Sequence, residues 1–175
     1  MVSGRKLHRI ISESVRAAIN EVSSNLAKPT VYLMFGIPGS GKSTWIKKNL
    51  PNDIPIVSRD IIRAELGLTS SADEKAVCSR EDEELVTKRE YALIRRLAKS
   101  GKDFVIDDTN TGRYRKNMIE LLRSYGLYIK IIRLNTDLDT CIKRRTGQIP
   151  SDVLRKIHMN IREPEEGEYD ELVLV

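Results

Sequence analysis

Apolar residues recur along this chain in two alternating rhythms. Short apolar runs at 30–35 (TVYLMF), 54–57 (IPIV), 104–106 (FVI), 127–134 (LYIKIIRL) and 172–175 (LVLV) read as strands. Between them, apolar positions at helical spacing predict helices near 42–50, 60–66, 82–99, 114–125, 137–145 and 151–161. Alternation of this kind predicts an α/β fold, a central parallel sheet of about five strands flanked by helices. Right-handed crossovers then bring the loops after the strands to one edge, where open α/β sheets bind ligands. Two stretches stand apart. Leu7, Ile10, Ile11, Val15, Ala18, Ile19, Val22 and Leu26 repeat helically until Lys28-Pro29. Residues 1–29 therefore read as an amphipathic helical extension to a domain at 30–175, available to pack on it or on another subunit. Residues 69–80 (TSSADEKAVCSR) keep no rhythm and read as a surface loop.

Composition narrows the class. Hydrophobic residues are 40% and charged residues 31% of the chain, which excludes wholesale disorder. No apolar run approaches the ~18 residues of a membrane span, so no membrane partner is expected. Arg5, Lys6, His8 and Arg9 accompany no apolar stretch of signal-peptide length. Cys78 and Cys141 do not make a disulfide framework, and with His8 and His158 they fall in no zinc-ligand spacing. A reducing cytoplasm is the expected location. The net charge of +5 is unevenly placed: residues 113–162 are rich in Arg and Lys, whereas Glu163, Glu165, Glu166, Glu168, Asp170 and Glu171 form an acidic tail. Such a basic block suits a polyanionic partner, a nucleotide or a nucleic acid, although from charge alone solvated helix faces are the plainer account.

Gly36-Ile37-Pro38-Gly39-Ser40-Gly41-Lys42-Ser43-Thr44 fits GxxxxGK[ST] and stands between an apolar strand and a helix. The glycines let successive backbone N–H groups converge on phosphate oxygens, and the helix N-terminus adds its partial positive charge. Lys42 is expected to reach the β- and γ-phosphates and Ser43 to place its hydroxyl on Mg²⁺. The chain is thus expected to bind ATP or another nucleoside triphosphate. Guanine-reading signals such as NKxD are absent and the chain is short for a mechanical ATPase, which favours a small kinase.

The second predicted strand runs into Ser58-Arg59-Asp60-Ile61-Ile62-Arg63. Arg63 follows Asp60 by nearly one helical turn, so both face the same way. A carboxylate just past a strand end can accept the proton of an attacking hydroxyl, and an arginine beside it can hold an acceptor anion bidentately. An N-cap aspartate with a surface arginine is the plainer alternative; the phosphate loop tips the balance towards function. The third strand ends in Asp107-Asp108-Thr109-Asn110. An acid here either assists Mg²⁺ through water, as Asp60 or Asp108 would beside Ser43, or positions the acceptor. Thr109 and Asn110 are also natural cap residues, and strand alternation points Asp107 away from Asp108.

Arg144 and Arg145 end a short helix before a Thr146-Gly147 turn. They are candidates for a short lid that stabilises charge on a transferring phosphoryl group, or simply complement the helix dipole. Asp137-Leu138-Asp139-Thr140 matches the DxDxT of aspartate-nucleophile phosphatases, but too little chain follows for that sheet. It reads as a helix start with Asp137 near the cap.

The sequence resembles the polynucleotide 5′-hydroxyl kinase family, the kinase half of the phage end-healing kinase–phosphatase. The matching segments are GIPGSGKSTW, SRDIIR, ELVTKREYALIRRLA, IDDTN and IPSDVLRKIHMNIRE, in that order from Val31 to Glu163. The resemblance implies a P-loop kinase fold with the P-loop strand central and the Asp107-Asp108 strand beside it. It implies that Lys42 and Ser43 bind ATP and Mg²⁺, and that Asp60 is the general base for a 5′-OH. It further implies that Arg63 holds the neighbouring 3′-phosphate, that Asp108 organises the acceptor site with Arg59, Thr109 and Asn110 around it, and that Arg144 or Arg145 contacts donor phosphates. The lid is shorter than is usual in the family, and no phosphatase domain is matched, so 3′-end healing is not expected. The expected partner is the 5′-OH end of DNA or RNA in repair, in a host cytoplasm if phage-encoded, with self-association through the N-terminal helix. Two rivals stand beside this reading: a small-molecule kinase acting on a sugar, nucleotide-sugar or other alcohol, and a non-catalytic nucleotide-dependent interaction module.

Overall fold

The computed structural model describes residues 13–16, 28–68, 79–112 and 114–175. Apart from an exposed helical turn at 13–16, the expected N-terminal helix lies outside the described residues, as do 69–78 of the expected surface loop. Five parallel strands form one sheet: β1 (Thr30–Phe35), β2 (Ile56–Val57), β3 (Phe104–Ile106), β4 (Tyr128–Arg133) and β5 (Glu171–Leu174). Their order is β2-β3-β1-β4-β5, with β1 central and β3 beside it. The helices are α1 (Lys42–Asn49), α2 (Arg59–Glu65), α3 (Arg80–Lys99), α4 (Arg115–Ser124), α5 (Leu138–Arg144) and α6 (Ser151–Met159).

Period-two alternation sorts the sheet's side chains into two layers. Val31, Leu33 and Phe35 of β1 join Phe104, Ile106, Ile129 and Ile131 on one face, packed against Val86 and Ile94 of α3 and Met118 and Leu122 of α4. Met34, Val105 and Ile132 take the other face, with Ile46 of α1 and half-buried Trp45 and Leu50. Burying strands on both faces explains why their sequences read as continuous apolar runs.

Element ends depart from expectation for identifiable reasons. Helix α3 starts at Arg80 because Ser79 and Asp82 form a reciprocal capping box, at 3.0 and 3.1 Å. Strand β2 keeps only Ile56 and Val57; Pro55 has no N–H to give a ladder and contributes only its carbonyl, to Val105 N at 2.9 Å. Asp137 caps α5 and accepts from Thr140 N at 2.8 Å, as the helix-start reading of DLDT expects.

The acidic tail folds back as a clip on the basic block. Glu163 forks onto Arg133 at 2.7 Å through both oxygens, Glu165 meets Lys116 at 2.9 Å, Glu171 meets Lys130 at 2.8 Å, and Asp170 pairs with Arg123. Much of the basic block is thus neutralised within the chain. At the centre lies Arg115, 3% exposed. It donates through Nε to Glu168 Oε2 at 3.0 Å, through Nη1 to the carbonyls of Asn110 and Arg162 at 2.9 and 2.7 Å, and through Nη2 to the Glu163 carbonyl at 2.9 Å. Removing one partner of a buried ion pair leaves an uncompensated charge, so Arg115→Met is expected to destabilise the fold by about 3–5 kcal/mol. Urea unfolding checks this, and a loss below about 1 kcal/mol, the scale of an exposed pair, would contradict it.

Candidate functional site

The site gathers at the C-terminal edge of the sheet around the loop between β1 and α1. Gly41 ends that loop as the N-cap of α1 and offers no side-chain cap, so the helix's first N–H groups face outward for an anion. Gly39 cannot be replaced without strain: at φ +89° an added Cβ would come within 2.8 Å of the Cys141 carbonyl and 3.2 Å of Arg145 Cγ. Gly36 is as crowded, with the Ser40 hydroxyl 2.6 Å from where its Cβ would stand. Ser40 is buried and its hydroxyl has no hydrogen-bond partner among the described residues. A buried orphan hydroxyl and an uncapped helix suit a phosphate cradle. Pro38 is half-buried in the loop, and Thr44 is exposed in the first turn of α1.

Lys42 lies against the loop, its Nζ donating to the carbonyls of Gly36 and Ile37 at 2.9 and 3.3 Å. Burial lowers its pKa; the carboxylates of Asp107, Asp108 and Asp60 act the other way, and the Arg145 guanidinium adds to the lowering. Those groups therefore converge on one ammonium. Ser43 Oγ donates to Asp107 Oδ2 at 2.9 Å. A hydroxyl beside a carboxylate is an oxygen donor set that fits Mg²⁺. Asp107, not Asp60 or Asp108, thus stands at Ser43. Alternation along the end of β3 sends Asp108 to the other side, where its Oδ1 accepts from Arg59 N at 3.3 Å. Burial and the neighbouring Glu90 push the Asp108 carboxyl up to about 8.

Across the sheet edge, α2 presents Asp60 and Arg63. The Asp60 side chain is 92% exposed and accepts from Arg63 Nη1 at 2.8 Å. Arg63 is aimed by Glu83 of α3, which it grips through Nε at 2.9 Å and Nη2 at 3.1 Å. Arg59, expected at the acceptor, turns inward: it donates to Glu83 at 2.7 Å, Glu90 at 2.6 Å and Thr87 at 3.1 Å. Its pKa is raised despite burial, because Glu83 and Glu90 favour the charged form. Glu83, Thr87 and Glu90 were not singled out from sequence, yet their spacing of four and three residues marks one face of α3.

The remaining expectations divide in the same way. Thr109 and Asn110 fix the loop to β1: the Thr109 carbonyl accepts from Gly36 N at 3.1 Å, and Asn110 Nδ2 donates to the Met34 carbonyl at 2.9 Å. Asn110 does so at φ 50°, a conformation asparagine tolerates better than most side chains. At the end of α5, the place of the expected lid, Arg144 Nη1 donates to the Gly39 carbonyl at 3.0 Å, while Arg145 donates to Gln148 at 2.8 Å. Among the described residues no three His, Cys, Asp or Glu side chains converge to hold a metal, and no helix is long and apolar enough to cross a membrane.

A family model for an AAA domain matches residues 31–164, and the chain belongs to that family. With its five-stranded parallel sheet and phosphate loop it is a P-loop kinase domain. Among solved structures it is similar to a chain of a Pnkp1/Rnl/Hen1 complex, at 26% identity and TM-score 0.57, over 67% of this chain and 39% of that one. A chain of the Pnkp1/Rnl/Hen1 RNA repair complex is similar at 24% identity and TM-score 0.64, over 76% and 44%. A sugar kinase from Janibacter sp. shares the fold at 15% identity and TM-score 0.55, over 85% and 84%. The chain spans less than half the length of the two Pnkp1/Rnl/Hen1 chains it matches.

Two outcomes follow. Gly39→Ala is expected to weaken ATP binding about tenfold or more through backbone strain, read by calorimetric titration; unchanged affinity would contradict the cradle. Arg63 first, with Arg59, holds Glu83 at about 2, below its ordinary 4.5. Stability from this carboxylate is therefore fully present above about pH 4.5 and lost as pH falls towards 2. Glu83→Gln is expected to lower Tm at pH 7 and to converge with the unsubstituted protein in acid; a gap independent of pH would count against the pairing.

Proposed function

We propose that this domain transfers the γ-phosphate of ATP, or of another nucleoside triphosphate, to the 5′-OH end of DNA or RNA. The observation that carries the reading is the pair on α2: an exposed carboxylate, Asp60, 2.8 Å from an arginine whose fork is oriented by Glu83. An acceptor with a hydroxyl to deprotonate and an anion close beside it matches that pair, and a nucleic-acid end with its adjoining internucleotide phosphate has both. A neutral sugar offers that guanidinium hydroxyls but no anion. The likeness to a chain of a Pnkp1/Rnl/Hen1 complex, at 26% identity, supports this reading, whereas the RNA repair complex chain, at 24%, and the sugar kinase, at 15%, support the fold alone.

In this reading residues 30–175 are the catalytic unit. Asp60 takes the hydroxyl proton as the acceptor oxygen bonds to the γ-phosphorus and the β–γ bridging bond breaks, with ADP as the leaving group. Arg63 holds the acceptor phosphate and so keeps the hydroxyl in line. Lys42 leaves its loop carbonyls for the donor's β- and γ-phosphates, and Arg144, at the Gly39 carbonyl, is the lid arginine closest in role to charge stabilisation. Ser43 and Asp107 are the residues that would hold Mg²⁺, which supplies neutralisation of phosphate charge when bound. Asp108 and Arg59 act from behind, setting α2 against α3.

The test is transfer of labelled γ-phosphate, with Mg²⁺, to 5′-OH DNA and RNA oligonucleotides, a 3′-phosphorylated nucleotide and a bare nucleoside. Labelling of the oligonucleotides and the 3′-nucleotide, falling as salt rises, is expected; the nucleoside should stay unlabelled. Asp60→Ala and Arg63→Ala are each expected to lose about 10²–10⁴ in turnover with ATP affinity nearly intact. ATP binding without labelling of any nucleic acid would overturn the reading in favour of a small-molecule acceptor, or of a nucleotide-dependent interaction module if nothing at all is phosphorylated.

A further inference from the structure

Asp60, Arg63 and the phosphate loop account for a hydroxyl and one phosphate beside it. They do not account for a cavity of about 650 Å³ that begins at Asp108 and Asn110 and runs on between α3 and the start of α4. None of Asp60, Arg63 or the phosphate loop is in its walls. That volume lies within the ~300–1,000 Å³ of sites that enclose a small molecule.

The charges along this cavity are unequally committed. Arg59 and Arg115 line it, but their N–H groups go to carboxylates and carbonyls of the protein. Glu83 and Glu90 line it too, and both are neutralised by arginines. Lys88 differs: it stands exposed at the rim with no hydrogen bond or ion pair among the described residues. At the mouth is Tyr114, 68% exposed. It is the N-cap residue of α4, directly before the buried Arg115. An exposed aromatic ring and an ammonium with no carboxylate partner among the described residues, both lining one cavity, are the pairing by which proteins seat single-stranded nucleotides: ring for base, cation for phosphate.

We propose that this cavity seats the second nucleotide of the acceptor, the one on the far side of the phosphate held by Arg63, with its base on Tyr114 and its own 3′-phosphate towards Lys88. This rests on the polynucleotide kinase reading and deepens it: the preferred minimal acceptor is a dinucleotide, not a 3′-mononucleotide. One ring stacks any base, so the second position is read for the presence of a base and not for its identity.

The experiment compares kcat/KM, within each variant, for a 5′-OH 3′-mononucleotide, a dinucleotide with a 3′-phosphate, and the same dinucleotide with an abasic second position. In the unsubstituted protein the dinucleotide is expected to exceed the mononucleotide by about tenfold, and the abasic form to lose most of that gain. Tyr114→Ala should bring the ratio close to one, Tyr114→Phe should keep it, and Lys88→Ala should lower it and flatten its dependence on salt. A ratio near one in the unsubstituted protein, or a gain that survives both the abasic acceptor and Tyr114→Ala, overturns the second seat while leaving the kinase reading standing. Failure to label any of the three acceptors overturns the kinase reading, and the second seat with it.

Discussion

Both halves of the site hang on the guanidinium of Arg115. A cation buried this deeply is tolerable only if its five N–H donors are met, and here they are met by groups far apart in sequence. Asn110 belongs to the loop after β3, Arg162 and Glu163 to the stretch returning from α6, and Glu168 to the turn before β5. None of these segments can shift without exposing Arg115's charge to an apolar layer that includes the Phe35 ring, 5.4 Å away. The constraint travels on through Asn110, whose side-chain amide donates to the Met34 carbonyl near the end of β1. The phosphate loop thus springs from a strand end already fixed to the acceptor-side loop.

From that fixed edge, one geometric rule separates the two reactant sides. Successive side chains at the end of β3 point to opposite sides, so Asp107 meets Ser43 while Asp108 meets α2 and α3. In the proposed reading, donor and acceptor machinery are therefore one residue apart on a single chain segment. The acceptor side pays for its density of acids in a particular way: Glu83 keeps its charge because two arginines share it, while Asp108, facing Glu90 in a buried setting, favours its neutral form. Arg59 sits between these groups as a strut, its guanidinium bonded to Thr87, Glu90 and Glu83 and not turned outward beside Asp60.

The parts legible in the sequence are those encoded locally. Short continuous apolar runs predict every strand of the sheet, and the Gly-Lys-Ser pattern predicts a phosphate loop, because backbone geometry and burial leave their mark on neighbouring residues. Local signals also explain the boundary shifts; Ser79-x-x-Asp82 is a capping box with Asp standing where Glu or Gln is usual. What stayed hidden depends on contacts between distant residues. Nothing near Arg63 announces that Glu83, twenty residues on, will aim it, and nothing in the acidic tail announces that it closes over Lys116, Arg123, Lys130 and Arg133. Glu83, Thr87 and Glu90 did leave a trace, as polar residues on a helix that also buries Val86 and Ile94, but a polar stripe names no partner.

Those tail contacts change what the net charge means. A value of +5 spread evenly would make the whole surface weakly attractive to polyanions. Instead Arg115, Lys116, Arg123, Lys130 and Arg133 are each paired with an acid. Lys143, Arg155, Lys156 and Arg162 carry exposed charge with no acidic partner among the described residues, and all four lie on α5, on α6 or just beyond it. Those four charges stand on or beside elements that include Arg144, which reaches the Gly39 carbonyl, while exposed Lys88, Arg89, Arg96 and Lys99 put further charge without an acidic partner among the described residues along α3. Net charge alone therefore does not describe what a polyanion meets: part of the positive charge is paired within the chain, Arg133 with Glu163 at the same sheet edge as the phosphate loop, and more stands exposed on α3, α5 and α6.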